Sequence, residues 1–243
     1  EMRKKSESSE VRINKFISQS GICSRREADN LIKRGLVRIN GKSCKTLGQK
    51  IQTDDKVEVN GKEIKPEKKS YILLNKPKDF ITTKKDTHGR RTVFDLLKGI
   101  KERVFYVGRL DRNTTGLLLF TNDGDMTKKL NHPSQKIKKI YSVTLDKDLD
   151  NENLKKIIDG LDIENEKIIV DNINVLNSRK EIGIEIQTGK NRIIKKIFES
   201  LGFKIKKLDR VTFGPLTKKD LPRGKWRRLS NTEIRNLKFF NRS

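Results

Sequence analysis

Hydrophobic residues near the start of the chain recur at helical spacing. The stretch at 14–20 is apolar-periodic, and a second, basic stretch at 24–34 repeats the pattern. Ser24 is followed three residues later by Glu27, which is the arrangement of a capping box at the start of a helix. The pattern therefore predicts a short helix over 14–20 and a basic helix over 24–34.

Apolar and polar residues alternate after Gly35. Such alternation is typical of strands that bury one face, and Asn40-Gly41 and Asn60-Gly61 interrupt two of these runs. Asn-Gly between alternating runs is a strong signal of a tight β-hairpin, because both residues accept a positive φ. We predict two hairpins and a compact first domain over 11–63.

A charged segment follows the second hairpin. Residues 62–69, KEIKPEKK, lack periodicity and include Pro66, which is typical of a linker. We place the linker at 64–69, the second domain at 70–235 and a short ragged tail at 236–243.

The second domain mixes strands and helices without regular alternation. Predicted strands cover 71–75, 104–107, 116–121, 141–145, IIVDNINVL and IGIEIQT, and predicted helices lie near 92–97, 125–130, 151–158 and 191–201. A doubly wound parallel sheet would need a crossover helix between successive strands. The observed order instead predicts an α+β fold with a mostly antiparallel mixed sheet.

Charge narrows the class of partner. The 243 residues include 57 Lys and Arg against 32 Asp and Glu, a net charge of +25, which favours a polyanionic partner. With 33% hydrophobic residues in periodic segments, the chain should fold as a globular protein. No apolar run approaches the roughly 20 residues that span a bilayer, and the opening EMRKKSESSE has no apolar signal region. We expect a cytoplasmic protein that does not bind membranes.

Cysteine and histidine offer little chemistry. The two cysteines, Cys23 and Cys44, have neither the number nor the spacing of a zinc site or a disulfide framework. They are interpreted as reduced thiols in a small core. His88 and His132 lie far apart in turn-like sequence. No metal site is predicted, which leaves carboxylates, Tyr, Lys and Arg.

The predicted basic helix concentrates positive charge. A solvated helix face is the simpler interpretation, and a surface that follows RNA phosphates is the other. The motifs INKFIS, SRREAD, LIKRGLVRING and DKVEV, within 12–61, resemble the alpha-L RNA-binding domain of several RNA-modifying enzymes. The resemblance favours RNA binding by five residues, which are Arg25, Arg26, Lys33, Arg34 and Arg38.

The segment VGRLDRNTTGLLLFTNDGD carries the most specific signal. Asp111 stands between Arg109 and Arg112, whose guanidinium groups would keep a carboxylate ionised and oriented. A structural loop Asp paired with Arg is the alternative. GRLD followed by TxGLLLxTxDG resembles the signature of pseudouridine synthases of the ribosomal small-subunit (Rsu) family and its large-subunit relatives. The resemblance implies that Asp111 is the catalytic residue, with Arg109 and Arg112 near the RNA.

Two further stretches agree with this resemblance, which runs from about residue 12 to 234. LLNKPKDFITT, with Lys76-Pro77, resembles the family's opening strand and turn, although Asp79 stands where many members have Gly. HPSQKIKKIYSV resembles the Lys-x-Tyr element, which makes Tyr141 the residue that packs on the target base. An ordinary core Tyr is the alternative.

GKNRIIKKIFESLGF resembles the family's last motif, which sets a basic residue against the catalytic Asp. Ile193 replaces the usual Gln, and Lys195 occupies the basic position. The resemblance assigns the pairing with Asp111 to Lys195 and a phosphate contact to Arg192.

The resemblance implies an enzyme that isomerises uridine to pseudouridine in ribosomal RNA, or in an assembly intermediate of the ribosome, without cofactor or metal. LPRGKWRRL and Asn113-Thr114 resemble the large-subunit branch, and a small-subunit enzyme is the alternative. Two other classes stay open: a metal-dependent nuclease built on Asp111, Asp123 and Asp125, and a non-catalytic assembly factor. We expect a monomer.

Overall fold

The computed structural model describes residues 10–240. The chain divides into two compact units. Within residues 10–240, the first unit comprises 10–69 together with Lys101–Arg103, and the second comprises Ser70–Ile100 and 104–240.

The first unit contains both predicted helices and both predicted hairpins. Its elements are β1 (Val11–Arg12), α1 (Ile13–Gln19), α2 (Arg25–Lys33), β2 (Val37–Ile39), β3 (Lys42–Cys44), β4 (Lys50–Ile51), β5 (Val57–Val59) and β6 (Lys62–Ile64). The strands β3, β2, β5 and β6 form an antiparallel sheet in that order, and β1 pairs with β4. Asn40 and Asn60 have φ of 50° and 51°, as the tight turns require.

Helix α2 begins at the predicted capping box. The Glu27 amide donates to Ser24 Oγ at 3.2 Å, and the Ser24 amide donates to Glu27 Oε2 at 2.7 Å. Ala28 and Ile32 are fully buried in the core of this unit. The five predicted basic residues lie on this helix and in the segment that follows it, and all five are exposed: Arg25, Arg26, Lys33, Arg34 and Arg38.

The predicted linker begins too early. Lys62–Ile64 forms β6, which pairs with β5, and Ile64 is only 7% exposed in the core of the first unit. The Glu67 amide also donates to the carbonyl of Gln19 at 2.8 Å. The sequence pattern did not indicate this strand, because two of its three residues are charged and Pro66 follows it. Its single apolar residue, Ile64, packs in the core.

The second unit is built on a nine-stranded mixed sheet in the order β13-β14-β10-β15-β9-β7-β17, with β16 beside β15 and β8 beside β9. Its strands are β7 (Tyr71–Lys76), β8 (Phe105–Val107), β9 (Thr115–Thr121), β10 (Lys139–Leu145), β13 (Asn172–Val175), β14 (Glu181–Ile186), β15 (Ile205–Phe213), β16 (Leu216–Thr217) and β17 (Trp226–Arg228). A separate hairpin consists of β11 (Leu161–Ile163) and β12 (Glu166–Ile168). Among the strand pairs of the described residues, only β9 and β15 run parallel, which confirms the predicted mostly antiparallel α+β fold.

Helices cover both faces of this sheet, so its central strands are buried on both sides. The helices are α3 (Gly124–Asn131), α4 (Asn151–Asp159), α5 (Ile193–Ser200) and α6 (Asn231–Phe239), with 3-10 turns at Val93–Leu96 and Pro133–Gln135. In β9, Leu118 and Phe120 join one core, whereas Leu117 and Leu119 join the other. No helix within residues 10–240 is long and apolar enough to cross a membrane.

The predicted ragged tail is wrong for residues 236–239. Helix α6 continues to Phe239, and Leu237 is fully buried. Ser230 and Glu233 form a capping box, and Arg227 binds both carboxylate oxygens of Glu233 at 2.7 and 2.8 Å. The buried Leu237 provides the tertiary anchor that the polar sequence did not reveal. Residues 241–243 of the predicted tail lie outside the described residues.

Candidate active site

A cleft of about 1160 Å³ opens in the second unit. Its walls come from the loop between β8 and β9, from β10 and β15, and from the start of α5. The three predicted catalytic residues all line it: Asp111, Tyr141 and Lys195. Of the predicted RNA-binding residues, three line it as well: Arg109, Arg112 and Arg192.

Asp111 is held by cations from α5. Lys195 Nζ donates to Asp111 Oδ2 at 2.6 Å, and Arg192 Nε lies 3.9 Å from the same oxygen. The side chain of Lys195 is 19% exposed and that of Asp111 is 41% exposed, so the pair lies at the edge of the cleft and is accessible from it. The pairing that the sequence motif implied is therefore present, and it leaves Asp111 Oδ1 available to a ligand.

Arg109 and Arg112, which flank Asp111 in the sequence, do not pair with its carboxylate. The prediction that these two arginines hold Asp111 ionised is therefore wrong. Arg112 Nε instead donates to Asp79 Oδ1 at 3.2 Å, and Arg109 is exposed and makes no ion pair with residues 10–240. The chain makes a tight turn here, in which the Thr114 amide donates to the Asp111 carbonyl at 3.0 Å. In such a turn, adjacent side chains point in different directions.

Lys76 fixes the backbone of this loop. It is the last residue of the buried strand β7, and it is itself fully buried. Its Nζ donates to four carbonyls, at 2.8 Å for Thr114 and 3.1 Å each for Pro77, Asp111 and Arg112. Burial lowers the pKa of Lys76 to about 8, although the nearby Asp111 carboxylate opposes this effect. Sequence reasoning noted Lys76 as part of a motif and missed this role, which a lysine ending a buried strand could have signalled.

Further contacts hold the loop on its other side. Thr82 Oγ1 donates to the Leu110 carbonyl at 2.8 Å, and the Asp79 amide donates to the Arg112 carbonyl at 3.0 Å. Asp79 has a φ of +68°, the left-handed region that Gly prefers and that Asp tolerates better than most residues. The turn therefore tolerates Asp79 in place of the Gly that many family members have. The Asp79 side chain also accepts the hydrogen bond from Arg112.

Tyr141 and helix α5 complete the cleft. Tyr141 lies on β10 between β14 and β15 and is 9% exposed. Helix α5 begins after Arg192, whose φ of +53° turns the chain. Ile193, which replaces the usual Gln, is 5% exposed in the main core, so this position contributes packing.

The carboxylates of the nuclease alternative do not converge. Asp123 caps α3 by accepting from the Met126 amide at 3.2 Å, and it accepts from the Tyr71 hydroxyl at 2.6 Å. Burial, followed by this bond, raises the pKa of Tyr71. No group of three or more His, Cys, Asp or Glu side chains that could hold a metal occurs in the described part of the chain.

Comparison with known proteins identifies the class. Residues 70–200, more than half of the chain, match the RNA pseudouridylate synthase family, and residues 11–57 match the S4 domain. The chain belongs to the RNA pseudouridylate synthase family and carries an N-terminal S4 domain, which confirms the family and the RNA-binding domain expected from the sequence.

Individual relatives cover nearly the whole chain. An "uncharacterized RNA pseudouridine synthase" of Aquifex aeolicus is 40% identical over 94% of both chains. "Ribosomal large subunit pseudouridine synthase B" of Bacillus subtilis is 37% identical over 93% of this chain and 95% of its own. "Dual-specificity RNA pseudouridine synthase RluF" of Escherichia coli K12 is 36% identical over 94% of this chain and 79% of its own. A crystal structure of a pseudouridylate synthase matches with a TM-score of 0.66 at 26% identity, covering 93% of this chain and 99% of that one.

Proposed function

We propose that this protein isomerises a uridine of large-subunit ribosomal RNA to pseudouridine, with Asp111 as the catalytic carboxylate. The observation that carries the assignment of the residue is the accessible Asp111–Lys195 pair, 2.6 Å apart, in a cleft that Tyr141 also lines. The substrate is proposed from the relatives, since the Bacillus subtilis protein is named for the large ribosomal subunit.

The reaction rearranges bonds without a net change in composition. The bond between uracil N1 and ribose C1′ breaks, C1′ bonds to C5, C5 loses its hydrogen and N1 gains one. Nothing is oxidised or reduced, so no redox cofactor is needed. Asp111 acts either as a nucleophile on the sugar or base or as the base that removes a sugar proton, and both roles require an ionised carboxylate. Lys195 favours that form and orients it through a charge-assisted hydrogen bond.

Access to the glycosidic bond requires the nucleotide to leave its stack, at a cost of a few kcal/mol. Tyr141 would receive the extruded uracil against its ring, because aromatic side chains are the usual platforms for unstacked bases. Lys195 would thus hold the carboxylate while Tyr141 holds the base, and Arg109, Arg112 and Arg192 would contact the phosphates around the cleft.

The S4 domain would supply affinity for the same RNA. Its exposed residues Arg25, Arg26, Lys33, Arg34 and Arg38 present five positive charges on α2 and the segment that follows it. Contacts of this type release counterions and carry little sequence information. Selection of the uridine is therefore assigned to the combination of S4 binding and the fit of the extruded nucleotide in the cleft.

Pseudouridine mapping tests the proposal. Ribosomal RNA from cells with and without this protein is compared, and purified protein is added to unmodified transcripts of each subunit's RNA carrying 5-tritiated uridine. We expect one large-subunit site to disappear without the protein and tritium to be released from the corresponding transcript. Release of tritium from small-subunit RNA alone would favour the small-subunit alternative, and tight binding without release would favour an assembly factor.

Two further expectations concern oligomeric state and location. The purified protein is expected to sediment as a monomer, and a tagged copy is expected to remain in the cytoplasm.

A further inference from the structure

Two cations in the cleft have no anionic partner among the residues that the structure describes. Arg210 on β15 is 3% exposed; its Nε donates to the Leu117 carbonyl at 2.8 Å, and its buried Nη2 has no hydrogen-bond partner among residues 10–240. Lys139 on β10 is half-buried, and its Nζ lies 3.4 Å from the Thr188 carbonyl. Neither forms an ion pair within the described residues, whereas Lys195 and Arg192 share Asp111.

The strand register brings these cations together beside Tyr141. Arg210 stands opposite Tyr141, and Lys139 precedes Tyr141 by two residues on the same strand face. A β-bulge shifts the register between Ile140 and Tyr141, and such bulges re-aim side chains. The Arg210 guanidinium lies 5.0 Å from the centre of the Phe213 ring. The cations and Tyr141 all line the cleft that contains Asp111.

Burial makes these unbalanced charges costly unless a ligand neutralises them. A buried ion without a counter-ion or a full set of hydrogen bonds is strongly disfavoured. Burial lowers the pKa of Lys139 to about 8, and the positive charge of Arg210 acts in the same direction. Across the strand pairs Lys139 faces Ile186 of β14 and Phe213 of β15, both uncharged. An anionic ligand would thus relieve the repulsion between the two cations and complete the bonds of Arg210.

We propose that Lys139 and Arg210 bind one RNA phosphodiester that adjoins the uridine held against Tyr141. The inference rests on the proposed function and extends it, because it assigns a buried phosphate site distinct from the exposed arginines at the cleft. A phosphodiester brings a full negative charge, whereas a neutral uracil carbonyl would leave both cations uncompensated. The site positions the extruded nucleotide, since a phosphate held by the buried Arg210 and the half-buried Lys139 fixes the ribose next to Asp111.

The first test uses charge variants of Lys139, which avoids disturbing the buried Arg210. Lys139→Gln should weaken the affinity for an unmodified large-subunit transcript about tenfold, and Lys139→Arg should restore most of it. The matched control is Lys138→Gln on the adjacent residue, whose Nζ pairs with Glu185 at 2.9 Å outside the cleft; it should stay within twofold of the wild type. Because Lys139 loses its proton near pH 8, the ratio of wild-type affinity to that of Lys139→Arg should fall between pH 7 and 9.

The second test removes the charge of the phosphate. A synthetic hairpin that contains the mapped uridine carries a neutral methylphosphonate on its 5′ or its 3′ side. One of the two substitutions should weaken binding to the wild type about tenfold and leave binding to Lys139→Gln unchanged. If the losses of affinity from the methylphosphonate and from Lys139→Gln were additive, the phosphate assignment would be overturned. A lower kcat of Lys139→Gln with unchanged affinity would also overturn it and would favour a contact to the base. If mapping reveals no modified uridine, the proposed function is refuted, and the affinities of Lys139→Gln, Lys139→Arg and Lys138→Gln for the large-subunit transcript still decide whether the phosphate site exists.

Discussion

Lys76 and Asp111 are joined by a hydrogen bond from the lysine side chain to the aspartate backbone, and not by a side-chain ion pair. The buried Lys76 Nζ donates to the Asp111 carbonyl at 3.1 Å, whereas the Asp111 carboxylate receives Lys195 Nζ at 2.6 Å. One lysine therefore fixes the position of the loop, and the other fixes the carboxylate that the loop presents.

Replacement of Lys76 by Met should damage both the fold and the reaction. The methionine keeps the approximate volume but leaves four carbonyls without their donor, so we expect a loss of about 2 to 4 kcal/mol in the free energy of unfolding. The released loop should lower kcat by about tenfold to a hundredfold, because small displacements of a reacting group are costly. Urea denaturation and tritium release measure the two effects. Lys78→Met at the exposed neighbouring lysine is the control, and equal behaviour of the two variants would contradict the role of Lys76.

Asp111→Asn should abolish turnover and preserve RNA binding. The amide is nearly isosteric, but it cannot act as a nucleophile or base, and removal of a negative charge from the cleft should leave affinity unchanged or raise it. Loss of the charge partner of Lys195 should cost about 1 to 3 kcal/mol at most. Circular dichroism, RNA affinity and tritium release are measured on one preparation. Asp148→Asn removes an exposed charge from the same unit and should retain turnover; wild-type turnover in a folded Asp111→Asn protein would refute the assignment.

The S4 domain should contribute salt-dependent affinity. Combined replacement of Arg25, Arg26 and Arg34 by Gln should reduce the slope of log affinity against log salt by about 0.7 to 0.9 for each RNA phosphate that these arginines neutralise. At saturating RNA, kcat should change little, because these residues lie outside the unit that holds the cleft. Filter binding at several salt concentrations gives the slope. Three exposed lysines of the second unit are replaced by Gln as a control: Lys155, Lys156 and Lys167. An equal change of slope in both triple variants would show that total charge, and not the S4 surface, sets the affinity.

The C-terminal helix should weaken in acid through Glu233. Hydrogen bonds from Arg227 lower the pKa of Glu233 from its usual 4.5 to about 2. A depressed carboxylate pKa stabilises the folded state above pH 4.5, and this contribution is lost as the pH falls from 4.5 to 2. Glu233→Gln should therefore lower the free energy of unfolding by about 1 kcal/mol at neutral pH. The difference in this free energy between variant and wild type should shrink as the pH falls from 4.5 to 2. Urea midpoints between pH 2 and 7 measure it, and Glu152→Gln at an exposed helix pair should show little change. A difference that stays constant with pH would contradict this role of Glu233.

Several features were predictable because short segments determine them. The capping box of Ser24 and Glu27 and the two Asn-Gly turns satisfy their backbone bonds within four residues. The family motif around Asp111 identified the protein class, and the strand order indicated the mixed sheet. These conclusions required no knowledge of which distant segments meet.

Other features were decided by contacts between residues far apart in sequence. Lys195, to which the family motif assigned the pairing with Asp111, lies 84 positions away in sequence, whereas the adjacent Arg112, also expected to hold the carboxylate, binds Asp79 instead. Ile64, the first residue of the predicted linker, ends a strand, and Leu237 anchors a helix where a tail was predicted, because a single apolar residue can anchor a polar strand or helix once a core is available to bury it. The sequence by itself therefore determined the fold class, the family and the identity of the candidate carboxylate. Tertiary structure alone determined that Arg112 binds Asp79 instead of Asp111 and that the charge of Arg210 is unbalanced within residues 10–240, since ion pairing and desolvation depend on which strands the sheet places side by side.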